Sequence, residues 1–352
     1  MKCRYLIVLT VVFAAISGCK KSAPPSLQKT DTTSNNTGTK ITTPTGPVVF
    51  VSGTVTAANS YSVATLWRNG KAIALADSSI NSNATGIAII DTDVYVVGTV
   101  NAVATIWKNG VASQLSGGII ANGITTSGND VYVIGDSYIN GIYVATVWKN
   151  GTPSYLTDAN TEAYPCGITV SGGNVYVAGN ITAAGNFNTL TLWKNGTPRT
   201  IATNCTSSYG SYIWGTVQVG VVDTSVYITG AVENSSDTQL IATIWHDGSP
   251  AAYTDGTTSA AINAIAVSNG TVYTAGYING SAVYWSGESE HILSPYINEQ
   301  YTATSIIISN SIVYAAGYSG YSTTGAVYWH GGSLVALPGR NSVATGIAVV
   351  QH

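Results

Sequence analysis

The sequence predicts an all-β fold, a seven-bladed β-propeller with four antiparallel strands per blade, on three observations. A hairpin that joins a tryptophan to a later apolar residue occurs seven times, and a second hairpin with tyrosine and glycine alternates with it. One copy of the repeat is divided between the two ends of residues 47–352. Valine, isoleucine, threonine, tyrosine and glycine dominate this stretch, which is the composition of short strands joined by tight turns.

The first hairpin places a tryptophan eight residues before an apolar residue. Asn-Gly or Asp-Gly lies between them in five copies. These dipeptides suit the positive φ angles of a two-residue hairpin turn. The pairs are Trp67/Leu75, Trp107/Leu115, Trp148/Leu156, Trp193/Ile201, Trp245/Tyr253, Trp285/Leu293 and Trp329/Leu337.

The second hairpin places an apolar residue eight positions before a tyrosine, with a glycine three positions later. Its copies are Ile87/Tyr95/Gly98, Ile124/Tyr132/Gly135, Ile168/Tyr176/Gly179, Val219/Tyr227/Gly230, Ile265/Tyr273/Gly276 and Ile306/Tyr314/Gly317. From axis to rim we name the strands A (Gly-Ile), B (Val-Tyr-Val-x-Gly), C (Ala-x-x-Trp) and D. We expect the repeated tryptophans and tyrosines to pack between blades.

The seventh copy closes the ring. Phe50 and Gly53 begin the domain without a preceding strand A, and residues 344–349 end it without a following strand B. We therefore predict that 344–349 pairs with 48–52, which leaves no open edge. Strand A carries small residues where strands crowd the axis, with Gln218 as the exception: Gly86, Gly123, Gly167, Ala264, Ser305 and Gly346.

The residues before the propeller indicate an envelope lipoprotein. Residues 1–18 have the basic start and short apolar run of a signal peptide, and Ile16-Ser17-Gly18-Cys19 resembles a bacterial lipobox. That resemblance implies cleavage before Cys19 and a lipid anchor on its thiol. Residues 19–46 have little to bury and predict a disordered tether. We expect a monomer attached to the outer membrane, and the sequence does not distinguish the periplasmic side from the surface side.

Charge and histidine spacing argue against several function classes. Only 8% of residues are charged, and loss of Lys2 and Arg4 leaves 11 basic against 16 acidic residues, a net charge of −5. Without a basic stripe, nucleic-acid binding is disfavoured. The four histidines do not cluster, and Asp158, Asn160 and Glu162 lack the glycine and distal glutamate of an EF-hand. We predict no catalytic residue, metal or cofactor.

Loop lengths indicate which face binds ligands. The A–B and C–D turns keep one length in complete copies, whereas glycine-to-tryptophan spacings across the B–C loops range from 9 to 15 residues. The B–C and D–A loops share one face, which we call the variable face; the other is the regular face. The aromatic and amide side chains of the variable face suit sugar stacking or protein docking. The candidate ligand-binding residues are Tyr138, Tyr143, Tyr164, Tyr209, Tyr212, Trp214, Tyr277, Tyr296 and Tyr318, and Tyr301 and Tyr321 share this face.

The Ala-x-x-Trp-Lys-Asn-Gly and Val-Tyr-Val-x-Gly units resemble repeats of bacterial extracellular propellers, including the HAF-type repeat, over residues 47–352. They are unlike WD40 repeats, kelch repeats and sialidase-type Asp-boxes. The resemblance implies the architecture and no particular ligand.

We interpret the chain as a non-catalytic binding or scaffolding protein for a glycan or a partner protein. The alternatives are a glycosidase or polysaccharide lyase with acids at the axis, and an outer-membrane assembly factor. Acids on the variable face (Asp136, Asp158, Glu162, Glu233, Asp237, Glu299) leave the enzyme alternative open. An oxidising envelope would also allow a disulfide between Cys166 and Cys205.

Overall fold

A computed structural model describes residues 46–183, 187–203, 217–233, 239–295, 299–320 and 325–351. These residues form 28 β-strands in seven four-stranded antiparallel sheets. The predicted all-β fold and its seven blades are confirmed. Within those ranges no helix is long and apolar enough to span a membrane.

The blades follow the chain in order, each with strands A to D from axis to rim. Blade 1 contains β28 (Val343–Val350), β1 (Val48–Thr56), β2 (Ser62–Arg68) and β3 (Lys71–Ala74). Blade 2 contains β4 (Ser82–Ile90), β5 (Asp93–Val100), β6 (Val103–Lys108) and β7 (Val111–Gln114). Blade 3 contains β8 (Gly118–Ser127), β9 (Asp130–Ile139), β10 (Ile142–Lys149) and β11 (Thr152–Tyr155).

The remaining four blades repeat this order. Blade 4 contains β12 (Ala163–Ser171), β13 (Asn174–Ala183), β14 (Phe187–Lys194) and β15 (Thr197–Ala202). Blade 5 contains β16 (Gln218–Val222), β17 (Ser225–Glu233), β18 (Leu240–His246) and β19 (Ser249–Ala252). Blade 6 contains β20 (Ala260–Ser268), β21 (Thr271–Ile278), β22 (Ser281–Ser286) and β23 (Ser289–Ser294). Blade 7 contains β24 (Tyr301–Ser309), β25 (Ile312–Ser319), β26 (Gly325–His330) and β27 (Ser333–Ala336).

The ring closes in blade 1, as predicted. Strand β28 pairs with β1 antiparallel, from Val48 opposite Val350 to Thr54 opposite Val343. The innermost strand of this blade therefore comes from the C-terminal end of the chain, and its other three strands from the N-terminal end.

The hydrophobic core consists of layers between neighbouring blades. All seven repeated tryptophans are at most 3% exposed. Each packs against the strand D residue of the preceding blade, as Trp107 does with Leu75 and Trp148 with Leu115. The tryptophan and the apolar residue of one hairpin thus contact different neighbours, so the repeated pair specifies blade stacking.

The C–D turns have the predicted conformation. In blade 3, Asn150 and Gly151 have φ angles of 50° and 82°. The Asn150 side chain accepts a 2.9 Å hydrogen bond from Val131 N and donates a 2.7 Å bond to Asp130. Asparagine therefore serves two purposes here, because it tolerates the left-handed conformation and ties the C–D turn to strand B.

Strand A carries a β-bulge at the axis in six blades. The extra residue is Thr85, Asn122, Cys166, Asn263, Thr304 or Thr345. Five of these side chains donate to a backbone carbonyl of the next blade; Thr85 Oγ1, for example, lies 2.8 Å from Ala121 O. Hydrogen bonds from side chain to backbone therefore link neighbouring blades around most of the axis.

Candidate functional site

Five of the nine candidate ligand-binding residues lie in the described part of the chain: Tyr138, Tyr143, Tyr164, Tyr277 and Tyr318. Tyr209, Tyr212, Trp214 and Tyr296 lie outside it, as do Tyr321, Asp237, Cys19 and Cys205. The five described tyrosines form two groups, one on blades 3 and 4 and one on blades 6 and 7.

Backbone hydrogen bonds hold the loops of the variable face in place. Asn279 N donates to Ser259 O at 2.9 Å, and Gly320 N donates to Gln300 O at 2.9 Å. The same link joins Asn101 N to Asn81 O at 2.8 Å. Each bond ties a B–C loop to the D–A crossover that enters the same blade, so side chains on these loops have defined positions before a ligand binds.

A cavity of about 450 Å³ opens on the variable face across blades 5 to 7, and we call it the blade 5–7 pocket. No charged side chain occurs among its described lining residues. These are Gln239, Thr257, Thr258, Ser259, Tyr277, Asn279, Gly280, Gln300, Thr302 and Tyr318.

The polar groups of the blade 5–7 pocket are oriented by local hydrogen bonds. Ser259 Oγ donates to Gln239 Oε1 at 2.6 Å. Thr257 bonds the Asp255 carboxylate through both its backbone N, at 2.9 Å, and its hydroxyl, at 2.7 Å. Burial, and secondarily the nearby Tyr318, raise the pKa of Tyr277. Its phenol is therefore neutral and can both donate and accept hydrogen bonds.

The second group lies at the boundary between blades 3 and 4, and we call this part of the variable face the tyrosine cleft. The rings of Tyr138 and Tyr143 meet edge to face at 5.2 Å, and Tyr143 and Tyr164 are 5.5 Å apart at a 37° tilt. Tyr138 is 54% exposed. Tyr164 donates a 2.7 Å hydrogen bond to Glu162, and its pKa is raised by burial and then by Glu162 and Asp136.

Asp136 lies two residues before Tyr138 on strand β9, farther from the surface of the variable face. It is 3% exposed, and Oδ1 has no hydrogen-bond partner. Oδ2 has only Asn122 Nδ2, at 3.5 Å. Burial raises the pKa of Asp136 to about 7. In the sequence Asp136 is one of several scattered acids, but it occupies the position after the strand B glycine, as Tyr277 and Tyr318 do in their blades.

The axial channel is narrow, with a volume of about 130 Å³. Its described lining residues are small, apolar or neutral polar, and include no acid or histidine. This is the location at which the glycosidase or lyase alternative requires carboxylates. Cys166 lines the channel, and burial raises the pKa of its thiol to about 12. Because Cys205 lies outside the described residues, the disulfide stays a prediction.

A groove of about 610 Å³, which the sequence did not predict, lies at the outer side of blades 1 and 2. Tyr61 and Ile80 line it and are 43% and 39% exposed, and Val103 and Gln114 also contribute. Both exposed residues lie in loops of irregular length, where the repeat offers no alignment to reveal them.

Charge is distributed unevenly between the two faces. Seven described acids lie in the crossovers or at the outer ends of strand B: Asp77, Asp136, Asp158, Glu162, Glu233, Asp255 and Glu299. Arg340 is the one basic residue in the described part of those segments, since the other described lysines and arginines lie in the C–D hairpins. Charges on the variable face are therefore few but nearly all negative. Among the described residues, no group of three potential metal ligands occurs.

No protein-family model matches the sequence, and no curated protein is significantly similar to it. Among solved structures, it is similar to a puromycin-hydrolyzing peptidase of Mycobacterium tuberculosis, with 11% identity and a TM-score of 0.54. That match covers 83% of this chain and 53% of the peptidase.

Two further structures have lower TM-scores. An acylaminoacyl peptidase of Pyrococcus horikoshii gives 0.48 at 11% identity, over 84% of this chain and 51% of that one. The SapL1 lectin in complex with alpha methyl fucoside gives 0.41 at 14% identity, over 72% and 96%. The chain spans about half the length of the two peptidases. At such low identity, the similarity to the Mycobacterium peptidase shows the fold alone.

Proposed function

We propose that this chain is a non-catalytic glycan-binding lipoprotein of the bacterial cell envelope that binds its ligand on the variable face. The observation that carries the proposal is the blade 5–7 pocket, whose described lining combines two tyrosines with amide and hydroxyl groups and no charged side chain. Sugar hydroxyls both donate and accept hydrogen bonds, and amides and hydroxyls match them in both directions. Tyrosine adds apolar area with a polar end at little entropic cost.

The rigidity of the pocket supports binding of a ligand without a large rearrangement. Its loops are joined by backbone hydrogen bonds at Asn279 and Gly320, and Ser259 is bonded to Gln239. A preformed pocket loses less conformational entropy on binding than a flexible one. Binding, rather than catalysis, is also favoured because the described lining of the axial channel has no carboxylate.

A glycan array probed with the purified protein tests this proposal. We expect binding to oligosaccharides on the array, and we expect Tyr318→Ala to weaken it at least about tenfold, which corresponds to about 1.4 kcal/mol. The matched control is Tyr155→Ala, because Tyr155 is a 53% exposed tyrosine on the outer strand β11. Absence of binding to every glycan, or equal loss in both variants, would contradict the proposal.

The envelope location is part of the proposal and has its own test. Cys19→Ala removes the thiol that the lipobox-like sequence would lipidate. We expect the wild-type chain in the membrane fraction and the variant in the soluble envelope fraction, because a lipid chain adds about 0.8 kcal/mol per buried methylene. Identical fractionation of the two chains would exclude the lipid anchor.

A further inference from the structure

We propose that the tyrosine cleft binds the ammonium group of an amino sugar, so that the glycan ligand is a cationic, glucosamine-type oligosaccharide. This inference rests on the proposed glycan binding and names its ligand class. The cleft joins aromatic rings to carboxylates, which is the combination that recognises an ammonium group.

The buried carboxyl of Asp136 is the first feature that points to this ligand. Its side chain is almost completely removed from solvent, and its Oδ1 atom has no hydrogen-bond partner, although buried polar atoms are normally paired. An ionised carboxylate only accepts hydrogen bonds. An ammonium group supplies three donors and a compensating charge, so it matches the unused oxygen.

The geometry above Asp136 is the second feature. On strand β9, Asp136 and Tyr138 are two residues apart and lie on the same side of the sheet, facing blade 4. Their cross-strand neighbours on β10 are Ala145 and Tyr143. Ala145 places only a methyl group beside the carboxyl, and the rings of Tyr138, Tyr143 and Tyr164 contact one another in series on its outer side.

The charges around the cleft are the third feature. Glu162 holds the Tyr164 hydroxyl at 2.7 Å, and Asp158 lies in the same crossover. No lysine or arginine among the described residues forms an ion pair with Asp136, Asp158 or Glu162. Because the variable face has seven described acids and Arg340 alone as a described base, its field attracts cations and repels uronic acids and sulfated sugars.

Calorimetric titration with two matched oligosaccharides tests the inference. Glucosamine tetramers and N-acetylglucosamine tetramers have the same sugar chain and differ in whether the nitrogen is charged. We expect the glucosamine tetramer to bind at least about tenfold more tightly. Equal or tighter binding of the acetylated tetramer would overturn the ammonium site and leave glycan binding intact. Binding of neither tetramer would also overturn the ammonium site, and the glycan array then decides separately whether any glycan binds.

The variant Asp136→Asn locates the site. It keeps the size of the side chain and removes its charge, so we expect it to abolish the preference for the glucosamine tetramer over the acetylated tetramer. Asp77→Asn removes the same charge from the exposed crossover that leaves blade 1. If both variants lose the preference equally, the effect comes from the general field of the face and the cleft is not the site.

Three further measurements separate the ammonium site from misfolding and from a peptide ligand. Thermal unfolding of Asp136→Asn shows whether the variant is folded. Tyr143→Ala removes one ring of the tyrosine cleft without changing charge, so it should also reduce the preference for the glucosamine tetramer. A trilysine peptide carries ammonium groups without sugar rings. Binding of this peptide as tightly as the glucosamine tetramer would overturn the amino-sugar assignment in favour of a basic protein partner.

Discussion

Individual tryptophans in this propeller occupy the same structural position but differ in one hydrogen bond. Trp148 Nε1 donates to Ser116 O at 2.9 Å, whereas the buried Nε1 of Trp107 has no partner. Both rings are fully buried between blades. The repeated position therefore selects the ring for its area. The indole N–H of Trp67, Trp148 and Trp329 is satisfied because the residue after the strand D apolar residue of the neighbouring blade provides an acceptor.

This difference gives a prediction about two identical substitutions. Trp148→Phe and Trp107→Phe remove the same atoms, but the first also leaves Ser116 O without its donor. We expect Trp148→Phe to lower the free energy of unfolding by about 1–2 kcal/mol more than Trp107→Phe. Chemical denaturation of both variants measures the difference, and a larger loss for Trp107→Phe would refute the reasoning.

Asp136 gives a prediction about pH. Burial raises its folded-state pKa from 3.8 to about 7, so the folded chain holds the proton more tightly than the unfolded chain. Stability therefore falls as pH rises from about 4 to about 7, and stays low above that range. The groups that face Asp136 are neutral or acidic. Asn122 Nδ2 lies 3.5 Å from its carboxyl, and Glu162 is hydrogen-bonded to the nearby Tyr164. After burial, the charge of Asp136 also contributes to the raised pKa values of Tyr164 and Cys166.

Asp136→Asn should remove this pH dependence. Relative to wild type, we expect the variant to gain up to about 3 kcal/mol in unfolding free energy between pH 5 and pH 8. Exposed acids with lowered pKa values, such as Asp77 and Asp158, act below pH 4 and do not obscure this window. Urea denaturation at both pH values provides the measurement, and a constant difference between variant and wild type would contradict it.

At the scale of the strand, the bulge residue of strand A donates a hydrogen bond to the next blade in five of the six blades that have a bulge. Thr85 and Thr345 donate to carbonyls of the next blade at 2.8 and 2.9 Å. Cys166, at the same place in blade 4, instead contacts Tyr164 O of its own strand at 3.6 Å. The link between blades 4 and 5 runs in the opposite direction, from Gln218 Nε2 to Cys166 O at 3.3 Å.

Cys166→Thr should therefore add a link that the other blades already have. In the other blades the acceptor carbonyl belongs to the residue two positions before the small residue of the next strand A. For Gln218 that residue is Thr216, which lies outside the described residues. We expect a gain of about 0.5–1.5 kcal/mol in unfolding free energy under reducing conditions. Cys166→Val is the control, since valine has the shape of threonine without the hydroxyl. An equal gain in both variants would assign the effect to packing, and a loss in Cys166→Thr would show that the register does not extend to blade 5.

The sequence predicted the strands and their order because those depend on local spacing. Trp148 and Leu156 flank one turn, and Asn150 and Gly151 reveal its type without reference to any other blade. The bulge at Thr85 could have been suspected, since a polar residue or Cys166 precedes the small residue of strand A in six blades. The blade 5–7 pocket could not have been predicted, because Gln239, Thr257 and Gln300 come from loops of unequal length on three blades.

At the scale of the whole molecule, β28 is the one described strand A that no hairpin turn joins to the strand B with which it pairs. Strand β28 reaches blade 1 only through the crossover from β27, and it pairs with β1 along seven residue positions. Ala344 and Ile347 on this strand belong to the core layer that also contains Trp67 and Tyr314. Both the core layer and the pairing of β1 therefore depend on the last ten residues.

A chain that ends at Ser342 should lose its cooperative thermal transition, because β1 then has an open edge and the layer around Trp67 is incomplete. A chain that ends at Val350 keeps the whole of β28 and should unfold like wild type. Because β28 contributes pairing and burial but no hairpin turn, a synthetic peptide of residues 343–352 can supply the same contacts from solution. Adding it to the shortened chain should restore the transition at a temperature that rises with peptide concentration, since binding to the folded state alone stabilises that state by mass action. A cooperative transition in the shortened chain without peptide would show that the six complete blades and the open seventh are stable by themselves.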